Sequence, residues 1–360
     1  MTGSNVVMIG TNKGAFTFAS DASRKNWTLA GPHLGGWEVS ALHVHSHNGK
    51  PRLLVGTTHF VYGATIRISD DMGQTFREIE ASPKYASDSG RALKRIWQIA
   101  PGHASEPRTL FAGVDEAGIF VSRDGGETWT EMSGLTKGRN TKDWFPGNGG
   151  LCLHTILVDP NDKMRMWVAI SAVGCFRTTD GGETWTECNK NLPTMPTGVE
   201  GTPECCCVHK VVIDPRNSDT LYMQFHGGVF KSTNAAESWQ KIENGLPGNF
   251  GFPIVITKRG DLFIAPLQAD EQRYFKDGKF QVYKSTDQGA TWAPRSKGIP
   301  AEARFAGVLR DAMSVDSHEP AGIFVGTTMG EVFFSNDAGE SWSRMPAQLP
   351  RIETVRACLL

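Results

Sequence analysis

Between Cys207 and Ile242 the chain alternates short apolar runs with clusters of turn-forming residues. HKVVI, from His209, and TLYMQF, from Thr220, are rich in β-branched and aromatic residues. DPRNSD separates them, and its Pro and Asp favour a turn. HGG at His226–Gly228 is a second turn, followed by GVFKST and, after the tight STNAAESW segment, by SWQKI. Runs of this length between turn signals predict four short strands joined by hairpins.

The segment between the third and fourth runs recurs along the chain. SRDGGETW ends at Trp129, TTDGGETW at Trp185, STDQGATW at Trp292 and SNDAGESW at Trp342. Looser copies are SDDMGQTF ending at Phe76, STNAAESW at Trp239 and SDASRKNW at Trp27. The closing aromatics are 49, 53, 56, 54, 53 and 50 residues apart. One active site needs one constellation, so seven copies at a steady period are architecture. The Ser or Thr and the Asp can bond nearby backbone N–H groups. The glycine supplies a left-handed turn conformation, and the Trp a large apolar wedge. Asp124 is then turn architecture and Glu127 a solvent-facing neighbour, not a catalytic pair.

Four-stranded units of about fifty residues predict an all-β, seven-bladed β-propeller with one Asp-box per blade, a single domain over 1–360. The chain starts inside a unit, since NVVMIGTNKGAFTFAS matches second and third strands. The leftover run RIETVRACLL is expected to supply the missing strand of the first blade and close the ring.

These boxes resemble those of the BNR or Asp-box repeat superfamily, over the full chain. That superfamily includes sialidases, xyloglucan-cleaving glycoside hydrolases, sortilin-type receptors and photosystem assembly factors. The chain also resembles cytosolic bacterial proteins of similar length that are often labelled glycosyl hydrolase or sialidase from the box alone. The resemblance implies a propeller and, for function, a hydrolase (or lyase) on a carbohydrate-like substrate. The alternative is a non-catalytic binding or assembly scaffold. Sialidases are six-bladed and carry Arg-Ile-Pro near the N-terminus. This chain has seven units and no such tripeptide, which points away from sialidase activity.

Composition narrows the partners. A formal net charge of -1 gives no electrostatic footprint for nucleic acid or an anionic membrane. No apolar run is long enough to span a bilayer. Seven cysteines, three consecutive at Cys205, Cys206 and Cys207, make a poor disulfide framework and suggest a reducing cytoplasm.

Function is expected where the copies differ, in the loops before the first strand and between the second and third strands, around the channel mouth. Aligning first strands on the turn that follows them gives an inner ring of Ser40, Arg95, His154, His209, Phe252 and Asp311, with Glu353 or a neighbour as seventh member. Arg95, His154, His209 and Asp311, with Glu116 as partner carboxylate, are the candidate catalytic groups, since these side chains do acid–base or electrostatic work. The loops add His59, Asp115, Trp144, His226, Glu271 and Arg273 as candidate substrate-binding residues, with Phe145 and Asp270 beside them. C-L-H and C-V-H place Cys152 by His154 and Cys207 by His209, soft and imidazole ligands that a divalent metal such as zinc takes. No cofactor beyond that metal is implied. HVHSH, from His43 to His47, falls in a hairpin turn away from the mouth.

Overall fold

The structure, a computed structural model, describes residues 5–197 and 204–359. They form seven four-stranded antiparallel sheets arranged as the blades of a propeller. Blade 2 runs Glu38–His47, Lys50–His59, Gly63–Ser69 and Arg77–Glu78, and blades 3 to 7 follow the same up-and-down order. Among the described residues the helices are three single 3-10 turns, and none is long and apolar enough to cross a membrane.

Blade 1 takes its innermost strand, Ile352–Leu359, from the C-terminus and its other three, Asn5–Thr11, Gly14–Ser20 and Thr28–His33, from the N-terminus. Pairing runs from Asn5↔Leu359 to Thr11↔Ile352. The ring closes as the leftover run RIETVRACLL predicts.

The Asp-box turns work by hydrogen bonds. Asp124 accepts from Ser122 Oγ at 2.7 Å, from the amides of Glu127 and Thr128 at 3.0 and 3.1 Å, and from Thr128 Oγ1. Ser122 Oγ accepts from the Gly126 amide at 2.9 Å, and Trp129 Nε1 donates to the Gly126 carbonyl at 3.0 Å. Gly125 and Gly126 have φ of 80° and 96°, the left-handed region where a Cβ is costly. The same Ser/Thr–Asp–Thr/Ser set recurs at Asp71, Asp180, Asp287 and Asp337, and Asn234 stands in for Asp in blade 5. These bonds hold the Asp71 and Asp180 carboxyls down to about 2.

Two expectations about the boxes need correction. Glu127 is not merely a solvent neighbour: it accepts from buried Arg52 at 2.8 Å and from Arg77 at 2.6 Å, stitching blade 3 to blade 2. The degenerate first copy works differently too. Its Arg24 reaches Asp316 of blade 7 at 2.9 Å, so an ion pair spans the seam where the ring closes.

The innermost strands share one irregularity. The register skips a residue at Glu353, Ser40, Trp97, His154 and His209 in blades 1 to 5. Phe252 and Asp311 take the place ahead of the inner strands of blades 6 and 7. A bulge of this kind re-aims a side chain and is common beside functional sites.

Candidate active site

The bulges sit where the central channel opens. A cavity of about 670 Å³ occupies the mouth, and a second of about 240 Å³ lies further along the channel. Ser40, Trp97 and Asp311 border both and form the waist between them. The mouth is built from leading loops and second-to-third-strand turns, the regions where the repeats differ.

Its polar wall is mostly arginine and carboxylate. Arg95 pairs with Glu38 at 2.7 Å and Glu353 at 3.2 Å, and its guanidinium lies 4.3 Å from the Trp97 ring centroid. Arg351 pairs with the other oxygen of Glu353 at 3.1 Å. Lys210 pairs with Asp311, and Arg273 with Asp270. Arg310 differs from all of these. Its Nε donates to the His209 carbonyl at 2.9 Å and its head lies 5.1 Å from the Trp97 ring and 5.9 Å from Phe252. No carboxylate among the described residues forms an ion pair with it. An aromatic-flanked guanidinium without a counter-ion suits a planar anionic or polyhydroxy ligand group.

The titratable groups are tuned mainly by burial. It lowers His154 and His209 well below the ordinary histidine value, with Arg310 adding to the effect, so both imidazoles are neutral at pH 7. It also lowers His226. The Cys207 thiol is pushed up to about 11 by burial, against the opposing pull of Arg310. Asp115 is raised by burial, and its Oδ1 hydrogen-bonds no group among the described residues. Arg95 Nε and Trp97 Nε1 on the same blade also lack partners there. Buried polar atoms left unpaired are few in folded proteins, and the two on cavity-lining Arg95 and Trp97 mark a polar wall.

Several expected residues line the mouth: Ser40, Arg95, His209, His226, Phe252, Arg273, Asp311 and Glu353. Others do not. His154 is fully buried, with Nε2 3.0 Å from the Val208 carbonyl of the next blade, so it staples blades and cannot reach a ligand. Cys152 is fully buried beside it. Arg95 lines the mouth, but from a different position than expected: the bulged residue of blade 3 is Trp97, and Arg95 pairs in register with Asp115. Glu116 forms an ion pair with Lys94 at 2.8 Å outside the cavity. Asp115 lies behind the loop at Gly150, where a Cβ would meet its Oδ2 at 2.2 Å. Trp144 packs on Phe176 at 6.1 Å and anchors its loop, while its neighbour Phe145 faces the cavity. Glu271 is exposed and outside the lining.

His59 belongs to an aromatic cluster on blade 2. It stacks with Trp37, Phe60 and Tyr62 at 4.9, 4.6 and 4.9 Å, and Tyr62 stacks on Trp37 at 5.9 Å. Phe60 is 95% and Tyr62 75% exposed. The sequence reading missed Trp97, Arg310 and Arg351. The first hides behind the bulge, and the other two are one and two residues from the singled-out Asp311 and Glu353.

A family model described as BNR/Asp-box repeat matches residues 120–131, the box built on Asp124. The chain carries the BNR/Asp-box repeat. Among curated relatives this Asp-box protein is 22% identical over 277 residues to an oligoxyloglucan-reducing end-specific xyloglucanase of Emericella nidulans, covering 70% of this chain and 32% of that one. It is 25% identical over 304 residues to a xyloglucanase of a Paenibacillus species, covering 79% and 25%. The chain thus spans a third or less of the length of these relatives. Among solved structures the Asp-box protein resembles an ancestral GH74 enzyme, with 18% identity and a TM-score of 0.56 over 87% of this chain and 39% of that one. It also resembles a functionally unknown protein from Desulfotomaculum acetoxidans DSM 771, with 9% identity and a TM-score of 0.55 over 98% and 99%. At these identities the likeness shows the fold.

Proposed function

We propose that this Asp-box protein is a hydrolase that cleaves an acid-bearing oligosaccharide at the channel mouth. The observation that carries the reading is Arg310, a cavity-lining guanidinium held between Trp97 and Phe252 with no carboxylate partner among the described residues. A sugar carboxylate would complete its hydrogen bonding, and the flanking rings would pack on the pyranose face. The xyloglucanase names of the curated relatives support a glycan substrate. The exposed aromatics of blade 2 would extend the binding surface beyond the cavity.

Glycoside hydrolysis needs two carboxyl groups flanking the scissile bond, roughly 5–10 Å apart. Asp270, from the long loop of blade 6, and Asp311, from the inner end of blade 7, face the cavity from neighbouring blades and are assigned this pair. Arg95, braced by Glu38 and Glu353, would hold sugar hydroxyls. His209, neutral and donating from Nδ1 to the Gly251 carbonyl, would accept a hydrogen bond at Nε2 without carrying charge.

A reducing-sugar assay over uronate-containing and neutral oligosaccharides tests the reading. Asp270→Asn and Asp311→Asn should each abolish turnover. Turnover that survives both substitutions removes the assignment, and an unsaturated product in place of a hydrolysed one makes the enzyme a lyase. A second reading, a peptide-binding scaffold, is favoured by the exposed run Phe60, Val61 and Tyr62. One fold relative, YCF48 bound to D1 peptide, matches with 12% identity and a TM-score of 0.50 over 85% of this chain and 81% of that one. Absence of turnover and of sugar binding, with peptide capture lost in Phe60→Ala, would favour it.

A further inference from the structure

We propose that Cys207, His209 and His226 bind one zinc-type divalent metal with an open coordination position facing the cavity. Their ligand atoms all lie within 4.8 Å of one another. Tetrahedral zinc with ordinary bond lengths spaces N and S donors by roughly 3.3–3.6 Å, so side-chain shifts of about 1 Å close the site. All three residues line the 670 Å³ cavity. Three protein ligands plus a free position is the pattern of catalytic zinc, whereas structural zinc is closed by four.

The surrounding chain holds the donors in place. His209 is the bulged residue of blade 5, with Cys207 two residues ahead of it. The His226 amide donates to the Cys207 carbonyl at 3.0 Å, tying the turn that carries the third ligand to the strand that carries the other two. His209 Nδ1 stands 2.6 Å from the Gly251 carbonyl, so Nδ1 carries the proton and Nε2 offers its lone pair. Metal-binding histidines usually anchor their second nitrogen on such a carbonyl. Asp270 Oδ2 is 3.8 Å from His226 Nε2, beyond hydrogen-bond length but near enough to act on that ring electrostatically.

The charges facing the cluster are mixed. Arg310 and Arg273 act on His209, and Asp270, Glu271 and Arg273 act on His226. A thiolate at Cys207 together with the two acids offsets the two arginines. The arginines would in turn draw an anionic ligand group toward the metal's free position. The Cys207 thiol must give up its proton to bind, so metal uptake releases a proton.

The test uses the full-length protein with no sugar present, so it is independent of the glycan reading. Elemental analysis of protein purified without chelator should show about one zinc per chain. Titration of the metal-stripped protein with Co²⁺ should produce a tetrahedral visible spectrum and a near-ultraviolet thiolate charge-transfer band. Cys207→Ser should remove the charge-transfer band, and Cys205→Ser should keep it. His226→Gln, on a surface turn, should weaken Co²⁺ affinity while leaving the thermal melt intact. Asp270→Asn, which removes only a nearby negative charge, should weaken it less than His226→Gln does. Wild-type protein that takes up neither zinc nor Co²⁺ overturns the proposal, as does a charge-transfer band that persists in Cys207→Ser.

Discussion

Cutting residues 351–360 removes the strand on which ring closure and one side of the mouth depend. Ile352 and Val355 are fully or nearly buried, and burying such side chains is worth about 1.5–3 kcal/mol each. The strand also pairs with Asn5–Thr11 over seven register positions. At about one hydrogen bond per position and about 0.5–1.5 kcal/mol net each, the ladder adds roughly 4–10 kcal/mol. The sum, roughly 7–16 kcal/mol, matches the whole stability of an ordinary domain. The deletion should therefore abolish cooperative folding. A gentler change gives the number: Ile352→Ala should cost about 2–5 kcal/mol. With about 2.1 cal/mol/K of unfolding entropy per residue, that lowers the melting temperature by about 3–7 °C. Hydrogen exchange by mass spectrometry separates closure from fraying. In a closed ring Ile352→Ala should weaken the slowest-exchanging amides of blade 4, far round the ring, as much as those of blade 1. Exchange raised only in blades 1 and 7, with blade 4 untouched, would refute ring closure and leave an array that frays from its ends.

Asp124→Ala strips the box of an acceptor used by two amides and two hydroxyls. It should cost about 1–3 kcal/mol in chemical denaturation and leave sugar affinity unchanged, since the box is turn architecture. Acid should act in two stages. Buried His43, His154 and His209 titrate well below the usual histidine value and His45 near 4, so the unfolded chain takes protons first and stability falls as pH drops below about 6.5. The Asp-box carboxyls are held low, Asp71 and Asp180 to about 2, so their contribution is present above the unfolded value near 3.8 and is lost as pH falls toward 2. Urea midpoints at intervals from pH 8 to pH 2 check both stages, and a flat profile between pH 7 and 5 would contradict the first. Tyr62→Ala, at a largely exposed side chain, should lower affinity for long oligosaccharides and leave monosaccharide affinity and the thermal melt unchanged by calorimetry.

The scaffold was legible because each blade reuses one turn, and that turn's residue types follow from its hydrogen bonds. Ring closure was legible from the phase of the repeats. The inner ring was legible wherever the stretch from bulge to turn has constant length: six residues separate His154 from Pro160 and His209 from Pro215. In blade 3 only four separate Trp97 from Pro101, so alignment on the turn slid by two residues and put Arg95 in the place of Trp97. Glu127 looked solvent-facing because its partner Arg52 lies 75 residues upstream on another blade. His154 and His209 sit in matching C-x-H stretches and each hydrogen-bonds a carbonyl of the next blade, yet only the second also lines the cavity. That choice is made by packing between blades, which periodicity does not encode. Arg310 carries no motif and owes its importance to the two rings that flank it.

The central claim, an acidic-glycan site at the channel mouth, is tested most directly by isothermal titration of the protein and its Arg310→Gln variant with matched uronate-containing and neutral oligosaccharides. The account predicts binding of the acidic ligand that weakens about 10- to 150-fold in the variant, the range expected for losing a charge-assisted contact worth about 1.5–3 kcal/mol. The neutral ligand should bind more weakly and change little. Equal affinity of wild type and variant for the acidic ligand, or no heat with any sugar, would contradict it.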